Sequence, residues 1–517
     1  MKKNLLKIAV MSLLAGSTFT AYSQRYLTEV FPTSSITADV IYGTNISIIT
    51  GAPASSDLKM DVYEPAGIAD PLTARPMVIV MHTGSYLPPI YNGQPTGSRK
   101  DSTVAEMCRQ FSRRGYVAVA MSYRLGWNPQ ASGPTGQDIR TGTLLQAVYR
   151  SIQDAKACVR YFKENAQNGG NTYGVDTNKI TLGGVGTGGY VALAYATLNN
   201  PIEIALPKFL ANATDATYGF VAGQPYVNQA ALGDFDGYGG IPTFNNPNNS
   251  PGHTNNVQFV INMGGAMGDS SWIEAGDAPM LGFHVVSDPF APYGNGTVYV
   301  PTTGDPVVDV SGSLVTIDSA YQLGNNNCFA TTLYTDPYTL RANSVNTGIQ
   351  GLFPFITPGF QAGPWEWFDS TGTVLTAQAL GLPASAGTSA YSNSLLTNPD
   401  MSKAKALAYI DTIMGYSNPR MVTCMNLLTG IEQVNAISNA ITISPNPATD
   451  RTEILSDYTG STMQSIRVYD MLGKELFFAN RLNTNRFILE RNQMKAGIYL
   501  VKIQVGANEI TKKVVFR

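Results

Sequence analysis

The chain has few charged residues, few histidines and few cysteines, and these shortages exclude several functions. Only 14% of the 517 residues are charged, and the formal net charge is -2. No basic patch or tail suggests a nucleic-acid partner. Histidine occurs three times, as His82, His253 and His284, and the four cysteines have no metal-ligand spacing. We therefore expect no metal site, no cofactor and no nucleic-acid partner.

Long apolar runs are also scarce. One run, from Leu5 to Leu14, follows Lys2 and Lys3 and precedes the small residues around Ser23. This pattern predicts a secretory signal peptide over residues 1–23, removed from the mature protein. No other run approaches the roughly 18 apolar residues of a spanning helix, so we expect no transmembrane segment.

An exported protein can form disulfides, and four cysteines allow three connectivities. Cys108 and Cys158 lie within helical patterns, where a small buried side chain is the expected role. Cys328 and Cys424 lie in a loop-rich region and are the expected pair.

Short apolar strands alternate with helical segments through the first half of the chain. Buried strands are predicted at 76–81 and 116–122, and helices at 102–113 and 143–165. This alternation predicts an α/β fold with a mostly parallel sheet between helices.

A glycine-rich turn at 183–189 joins a short apolar strand to an Ala-rich helix. This is the layout of the nucleophile elbow, G-x-S-x-G, in which a serine stands on a sharp strand-to-helix turn. Gly184 and Gly188 occupy the elbow's glycine positions, but Gly186 occupies the position of the serine.

Three segments resemble the α/β-hydrolase fold, specifically its secreted carboxylesterase-like and feruloyl-esterase-like members, over 58–292. The segment 80–84 is similar to the H-G-G-G oxyanion loop with two glycines altered. The segment 153–180 is similar to the helix and approach that precede the elbow, and 283–293 looks like the segment that carries the acid of the triad. The resemblance assigns Asp288 as a vestigial acid, and His82, Thr83, Gly84 and Thr187 to the oxyanion-type loop and elbow.

Catalysis in this family needs a serine, then an acid, then a histidine along the chain. Gly186 offers no side chain, and no histidine follows Asp288. We therefore expect a non-catalytic pseudo-hydrolase that binds a glycan or polymer through its cleft. Ser85, Tyr86, Trp365 and Trp367 are the candidate cleft residues.

The alternative is a secreted carboxylic-ester hydrolase with a displaced nucleophile, Ser85 or Thr187. His284 is expected in the core and His82 is expected to order its loop, while His253 is expected to be solvated. A rewired site built from these residues is the weaker hypothesis.

Two further patterns suggest ligand sites only weakly. Residues 184–189 also satisfy G-x-G-x-x-G, with Glu203 downstream, but Pro201 interrupts the βαβ unit that a dinucleotide site requires. Residues 234–239 begin like a calcium loop, but Asn245 stands where a bidentate glutamate is needed. A turn-rich loop is the simpler interpretation.

The hydrolase-like domain is predicted to span 24–436, with an irregular insert at 294–400. Within that region, 298–310 and 314–317 are predicted to form hairpin strands, and 351–367 a packed loop. Residues 402–414 are predicted as the last helix of the domain.

The final segment, 437–517, has short alternating strands and predicts a small β-sandwich of about seven strands. It contains P-N-P at 445–447, then V-Y-D-M-L-G-K at 468–474, then A-G-I-Y-L-V-K-I at 496–503. In order and spacing these motifs resemble the type A C-terminal sorting domain of the type IX secretion system. The resemblance implies a Bacteroidota outer-membrane route and recognition of 441–517 by the secretion machinery. A generic carbohydrate-binding or Ig-like appendage is the alternative.

Overall fold

A computed structural model describes residues 25–70, 72–427, 434, 437–458, 461–506 and 508–517. The predicted signal peptide, 1–23, lies outside the described residues, and the predicted boundary at 436 adjoins residues that also lie outside them. The described chain falls into two compact units. The larger contains 31–327 and 341–418, and the smaller contains 25–30, 328–340 and the described residues of 419–517.

The larger unit is built on an eight-stranded sheet with strand order β1-β2-β4-β3-β5-β6-β7-β10. β1 and β2 are antiparallel additions at one edge, and the six strands from β4 to β10 are parallel. The predicted mostly parallel sheet is confirmed. The strands are β1 Thr33–Ser47, β2 Ala54–Ala66, β3 Arg75–Met81, β4 Val117–Met121, β5 Val175–Val185, β6 Phe259–Met263, β7 Met280–Val285 and β10 Leu352–Phe355, with a separate hairpin of β8 Asn295–Tyr299 and β9 Pro306–Ser311.

Several helices pack against this sheet through apolar side chains at helical spacing. In α1, for example, Val104, Met107 and Phe111 are buried at helical spacing. The helices are α1 Ser102–Arg113, α2 Gly136–Asn168, α3 Thr187–Thr197, α4 Gln229–Leu232, α5 Ser313–Gln322, α6 Pro337–Asn343, α7 Ser370–Ala379, α8 Ala384–Thr397 and α9 Lys403–Met425.

A buried ion pair ties α2 to the segment after β4. The guanidinium of Arg124 donates to the carboxylate of Asp154 at 2.9 Å, and the Arg124 backbone N–H donates to the same carboxylate at 2.8 Å. Both side chains are almost fully buried. Because a buried charge is tolerated only with a partner, the pair fixes the position of α2 beneath the sheet edge.

The insert contained two wrong predictions. The hairpin β8–β9 is present, but the predicted strand at 314–317 is part of helix α5. The segment 351–367, predicted as a loop, contains β10, a parallel strand beside β7. β10 has only four residues and includes Pro354, so it carried too little pattern to be recognised. The predicted last helix is longer than expected and ends at Met425.

In the smaller unit, seven strands form a three-stranded sheet, β11-β12-β15, and a four-stranded sheet, β14-β13-β16-β17. Their bounds are β11 Ile441–Ser444, β12 Arg451–Ser456, β13 Met463–Tyr469, β14 Glu475–Thr484, β15 Arg486–Glu490, β16 Gly497–Val505 and β17 Asn508–Phe516. Inward side chains of both sheets, such as Ile454, Ile466 and Val501, share one core. The predicted sandwich is confirmed.

The cysteine predictions are also confirmed. Cys328 and Cys424 form a disulfide, and Cys108 and Cys158 are buried free thiols. Within the described residues, none of the helices combines the length and apolar character needed to span a bilayer.

Candidate functional site

The glycine-rich turn is a sharp elbow between β5 and α3. Gly186 adopts φ 52° and ψ -115°, in the region that favours glycine, and its N–H donates to the carbonyl of Met263 at 2.8 Å. A Cβ added at Gly184 would lie 2.0 Å from the carbonyl of Gly188, and one added at Gly188 would lie 2.5 Å from the Met81 carbonyl. The close approach of β3, β5 and α3 at this turn therefore requires glycine at both positions.

The position that the serine would occupy is filled from another loop. A Cβ added at Gly186 would lie 2.1 Å from Oγ1 of Thr83 and 2.9 Å from its Cβ. Thr83 belongs to the loop after β3, where the resembling family has glycine. Sequence reasoning placed Thr83 in the oxyanion-type loop but did not foresee that its side chain would fill the nucleophile's space.

His82 anchors this loop and takes no part in the cavity. Its ring stacks on Tyr123 with centroids 4.4 Å apart, and Nδ1 donates to the carbonyl of Thr83 at 2.6 Å. Burial lowers the pKa of His82 to about 4, so the ring is neutral at physiological pH. Tyr123 in turn donates its hydroxyl to the His82 carbonyl at 2.6 Å.

The two residues considered as displaced nucleophiles, Ser85 and Thr187, both line the cavity. Ser85 has φ 54° and lines the cavity, next to Tyr86, which has φ 51°. The hydroxyl of Thr187 is 3.2 Å from that of Tyr123, and the Thr187 carbonyl accepts from the Tyr86 hydroxyl at 3.1 Å. Hydrogen bonds with Tyr86 and Tyr123 therefore hold Thr187 in place.

The other two histidines lie elsewhere. His284 is buried within β7, where Nδ1 is 2.7 Å from the Ser313 hydroxyl and Nε2 is 3.0 Å from the Ala291 carbonyl. His253 was expected to be solvated, but its side chain is only 11% exposed and pairs with Glu164 on the surface of α2. The expectation of a solvated ring was therefore wrong.

A cavity of about 160 Å³ opens at the carboxyl ends of the central strands. This edge of a parallel sheet is where ligands of open α/β proteins bind. Most of the wall is apolar or aromatic, and it is formed by Trp127, Leu144, Tyr190, Met263, Phe290, Val298, Trp365 and Phe368 among others. Asp288 and Glu366 are the only charged side chains that line it, and no histidine, lysine or arginine of the described chain does so.

Asp288 lies three residues after β7. Its Oδ1 accepts the backbone N–H groups of Phe290 at 2.8 Å and Ala291 at 3.1 Å. Burial raises the pKa of Asp288 to about 7, although the two N–H groups favour the charged form. The structure thus places the predicted acid at the cavity, without a histidine beside it.

Sequence reasoning missed Glu366. It lies in the segment after β10, and its side chain has no hydrogen-bond partner within the described part of the chain. Burial first, then the negative charges of Asp101 and Asp288, raise the pKa of Glu366 well above its usual range. Because β10 was not recognised, nothing in the sequence indicated that the acidic residue beyond it returns to the cavity.

Of the two tryptophans predicted in the cleft, Trp365 lines the cavity and Trp367 does not. Trp365 is buried and lines the cavity, and its carbonyl accepts the hydroxyl of Thr103 at 2.8 Å. Its indole N–H has no acceptor among the described residues. Trp367 is half-buried and does not contribute to the cavity wall.

In the two weaker sequence patterns, the dinucleotide-like and the calcium-like one, the acidic residues accept hydrogen bonds within turns. Glu203 caps a short turn, accepting the backbone N–H groups of Asn199 and Asn200. Asp234 accepts the N–H groups of Asp236 and Tyr238 within its own turn. Asn245 donates to the Gly237 and Gly239 carbonyls and so closes that turn from inside.

Glu366→Gln tests the charge state of this acid. An acid whose folded pKa is raised binds more protons when folded than when unfolded between its ordinary pKa near 4.3 and its raised value. Stability is therefore lost as pH rises through that window, and the glutamine variant avoids the loss. We expect the stability of the variant relative to wild type to increase as pH rises from 5 to 8, measured by calorimetry.

Glu490→Gln is the matched control, because Glu490 is an exposed glutamate of the C-terminal sandwich. It measures the effect of a Glu-to-Gln substitution at a position outside the cavity. A Glu366→Gln curve parallel to that of wild type would contradict the assignment of a raised pKa.

Sheet order and the elbow together define an α/β-hydrolase-fold protein. Residues 60–298 match the family model described as BD-FAE, and residues 442–517 match the secretion system C-terminal sorting domain. The chain therefore carries an esterase-like α/β-hydrolase domain followed by a type IX sorting domain. The sorting domain indicates export by that system to the cell surface or the medium.

Solved structures of esterases are similar to the chain. Esterase 2 of the Planctomycetes species Thermogutta terrifontis, with propionate bound, is 16% identical over 71% of this chain and 93% of that chain, with a TM-score of 0.32. A truncated carbohydrate esterase from gut microbiota is 17% identical over 50% of this chain and 80% of that chain, with a TM-score of 0.28. No curated protein matches the sequence.

Proposed function

We propose that the protein is a non-catalytic pseudo-hydrolase that is exported by the type IX system and binds a ligand in the cavity of its hydrolase-like domain. The observation that carries the proposal is the filled elbow. The nucleophile position is Gly186, and the hydroxyl of Thr83 stands 2.1 Å from where a Cβ would be. A serine cannot be accommodated there unless the loop moves.

The missing base supports the same proposal. Hydrolysis by a serine needs a histidine that takes the proton of the nucleophile, and Asp288 has none to orient. His82 and His284 are buried in hydrogen bonds of their own. Removing only the nucleophile of a serine protease slows the reaction by about 10⁶, so loss of both groups leaves no ordinary esterase mechanism.

The cavity itself supports a binding role. An elbow that has lost its nucleophile need not keep a pocket, yet this one keeps a largely apolar wall and two recessed carboxyls. A glycan or a polymer segment, the ligands expected from the sequence, remain candidates for the cavity and its aromatic surroundings. Delivery through an N-terminal signal peptide at 1–23 and a Bacteroidota source belong to the same proposal.

The second candidate function is a carboxylic-ester hydrolase with a displaced nucleophile. One observation favours it: the Thr83 hydroxyl occupies the place from which a serine would attack. Thr83 joins Ser85 and Thr187 as hydroxyls that such an enzyme could use. Its weakness is that none of these hydroxyls has a histidine to accept its proton.

Hydrolysis of a short-chain p-nitrophenyl ester separates the two functions. We expect the wild-type protein to hydrolyse the ester at the rate of buffer alone, and Thr83→Val, Ser85→Ala and Thr187→Val to be indistinguishable from it. The assay is the release of p-nitrophenolate at pH 7.5. Turnover by wild type that any one of the three variants abolishes would identify the displaced nucleophile and overturn the pseudo-hydrolase proposal.

A further inference from the structure

The cavity has an uneven distribution of charge. Its two charged lining residues, Asp288 and Glu366, are both acids, and no basic residue of the described chain lines it. A third acid, Asp101, lies close enough for its charge to act on Glu366. An anionic ligand, including the carboxylate product of an ester hydrolase, would be repelled by such a site.

The three acids differ in the hydrogen bonds that their carboxyl groups accept. Asp101 accepts the backbone N–H groups of Gly97 and Ser98, and Asp288 accepts those of Phe290 and Ala291. Glu366 makes no side-chain hydrogen bond in the described part of the chain. A recessed carboxyl without a partner is costly when ionised, and it gains most from a positive charge brought by a ligand.

A second polar group in the wall also lacks a partner. The indole N–H of Trp365, whose side chain is 2% exposed and lines the same cavity, has no acceptor among the described residues. Buried indole N–H groups ordinarily find an acceptor. Because this nitrogen is fully buried, Trp365 offers the cavity its ring and not its N–H.

The rest of the cavity wall favours a ligand with an apolar body. Trp127, Tyr190 and Phe290 supply aromatic surface, and Leu144, Met263 and Val298 supply aliphatic surface. Aromatic rings also attract cations through their negative faces. The wall and the carboxyls therefore favour the same ligand, one with an apolar body and a positive charge.

We propose that the cavity binds a small amphipathic organic cation, an ammonium ion on an aromatic or aliphatic body. Its charge lies against the carboxylate of Asp288, with Glu366 beside it. This inference rests on the proposed binding role of the cavity and specifies the class of ligand.

The pH dependence follows from the groups that face Glu366 and Asp288. These are Asp101, at the start of α1, and Tyr190, on α3, whose pKa is raised by burial so that it stays neutral. A cation binds the ionised acids, so its affinity increases as pH rises through about 7, where Asp288 loses its proton. A ligand without charge should bind with little dependence on pH.

Choline phenyl ether and its uncharged carbon isostere, 3,3-dimethylbutyl phenyl ether, test the inference by titration calorimetry on the full chain. The two differ only in a quaternary nitrogen in place of a quaternary carbon, so neither titrates. We expect the cation to bind at least about tenfold more tightly at pH 8, a difference of about 1.4 kcal/mol. Asp288→Asn should remove that preference and leave the affinity of the neutral ether unchanged, because Asp288 is the acid that is ionised at pH 8.

Glu490→Gln is again the control and should bind both ethers as wild type does. Calorimetric or thermal-shift data on each free variant show that it is folded. Equal or tighter binding of the neutral ether, or a cation preference that survives Asp288→Asn, would overturn the inference while leaving a binding role in place. Binding of neither ether would also overturn it. The binding role would then be judged separately, by affinity electrophoresis against neutral polysaccharides.

Discussion

Gly186→Ser is expected to destabilise the protein by about 3 kcal/mol rather than to restore an enzyme. Two penalties add at this position. A side chain at φ 52° and ψ -115° carries strain of about 1–3 kcal/mol, and the new Cβ would overlap Oγ1 of Thr83, an overpacking cost of about 1–3 kcal/mol. The measurement is thermal or urea unfolding of the full chain.

The chain offers a control that separates these penalties. Gly170 has φ +73°, and a Cβ added there would meet nothing within 4 Å. Gly170→Ser therefore reports the cost of positive φ without the overlap and should cost about 1 kcal/mol. If Gly186→Ser costs no more than Gly170→Ser, Thr83 has room to move and does not fill the nucleophile position.

Thr83→Gly in combination with Gly186→Ser completes the test. Removing both Thr83 Cβ and Oγ1 relieves the overlap, so the double variant should be more stable than the sum of the single effects by about 1–3 kcal/mol. We expect no ester hydrolysis from it, because no histidine is available as a base. Hydrolysis by the double variant would show that another group fulfils that role.

Removal of the disulfide is expected to have the second large effect. Cys328 and Cys424 are separated by 96 residues, and a cross-link that closes a loop of about 100 residues is worth about 4–5 kcal/mol through the entropy of the unfolded chain. The Cys328→Ala/Cys424→Ala variant should lose most of that stability. Thermal unfolding of the oxidised wild type, the reduced wild type and the variant measures it.

The double variant is also the control for the reductant. Dithiothreitol should lower the Tm of wild type toward that of the variant and leave the variant unchanged, since Cys108 and Cys158 are already free thiols. Thiol titration of the denatured protein confirms how many thiols each sample holds. A fully reduced wild type with an unchanged Tm would contradict the stabilising role.

Local sequence predicted much of the fold because the relevant signals are short in range. The buried strands β3 and β4 are continuous apolar runs, α1 has helical periodicity, and the glycines of 183–189 mark a turn wherever they occur. The sorting domain was identified from motifs that lie within 76 residues. The disulfide followed from the loop-rich setting of Cys328 and Cys424, compared with the helical setting of the other two cysteines.

The failures arose where structure depends on distant partners. The strand β10 has four residues and forms only because β7 offers a parallel edge beside it. The segment 314–317 is apolar in a way that suits either a strand or a helix, and Ser313, bonded to Asn262 and His284, holds the start of α5 in place. The pairing of His253 with Glu164 likewise joins two residues that are far apart in the chain.

The sequence alone determines which residues stand at the catalytic positions of the fold. Glycine at position 186 has no nucleophile, all three histidines precede Asp288, and the last segment is a sorting domain whatever the fold around it. What stands at the nucleophile position and around Asp288 depends instead on the folded chain. Folding brings Thr83 into the vacated space and Glu366 into the cavity beside Asp288, because loops after separate strands converge at one edge of a parallel sheet. Such convergence depends on strand order, which no local pattern in the chain encodes.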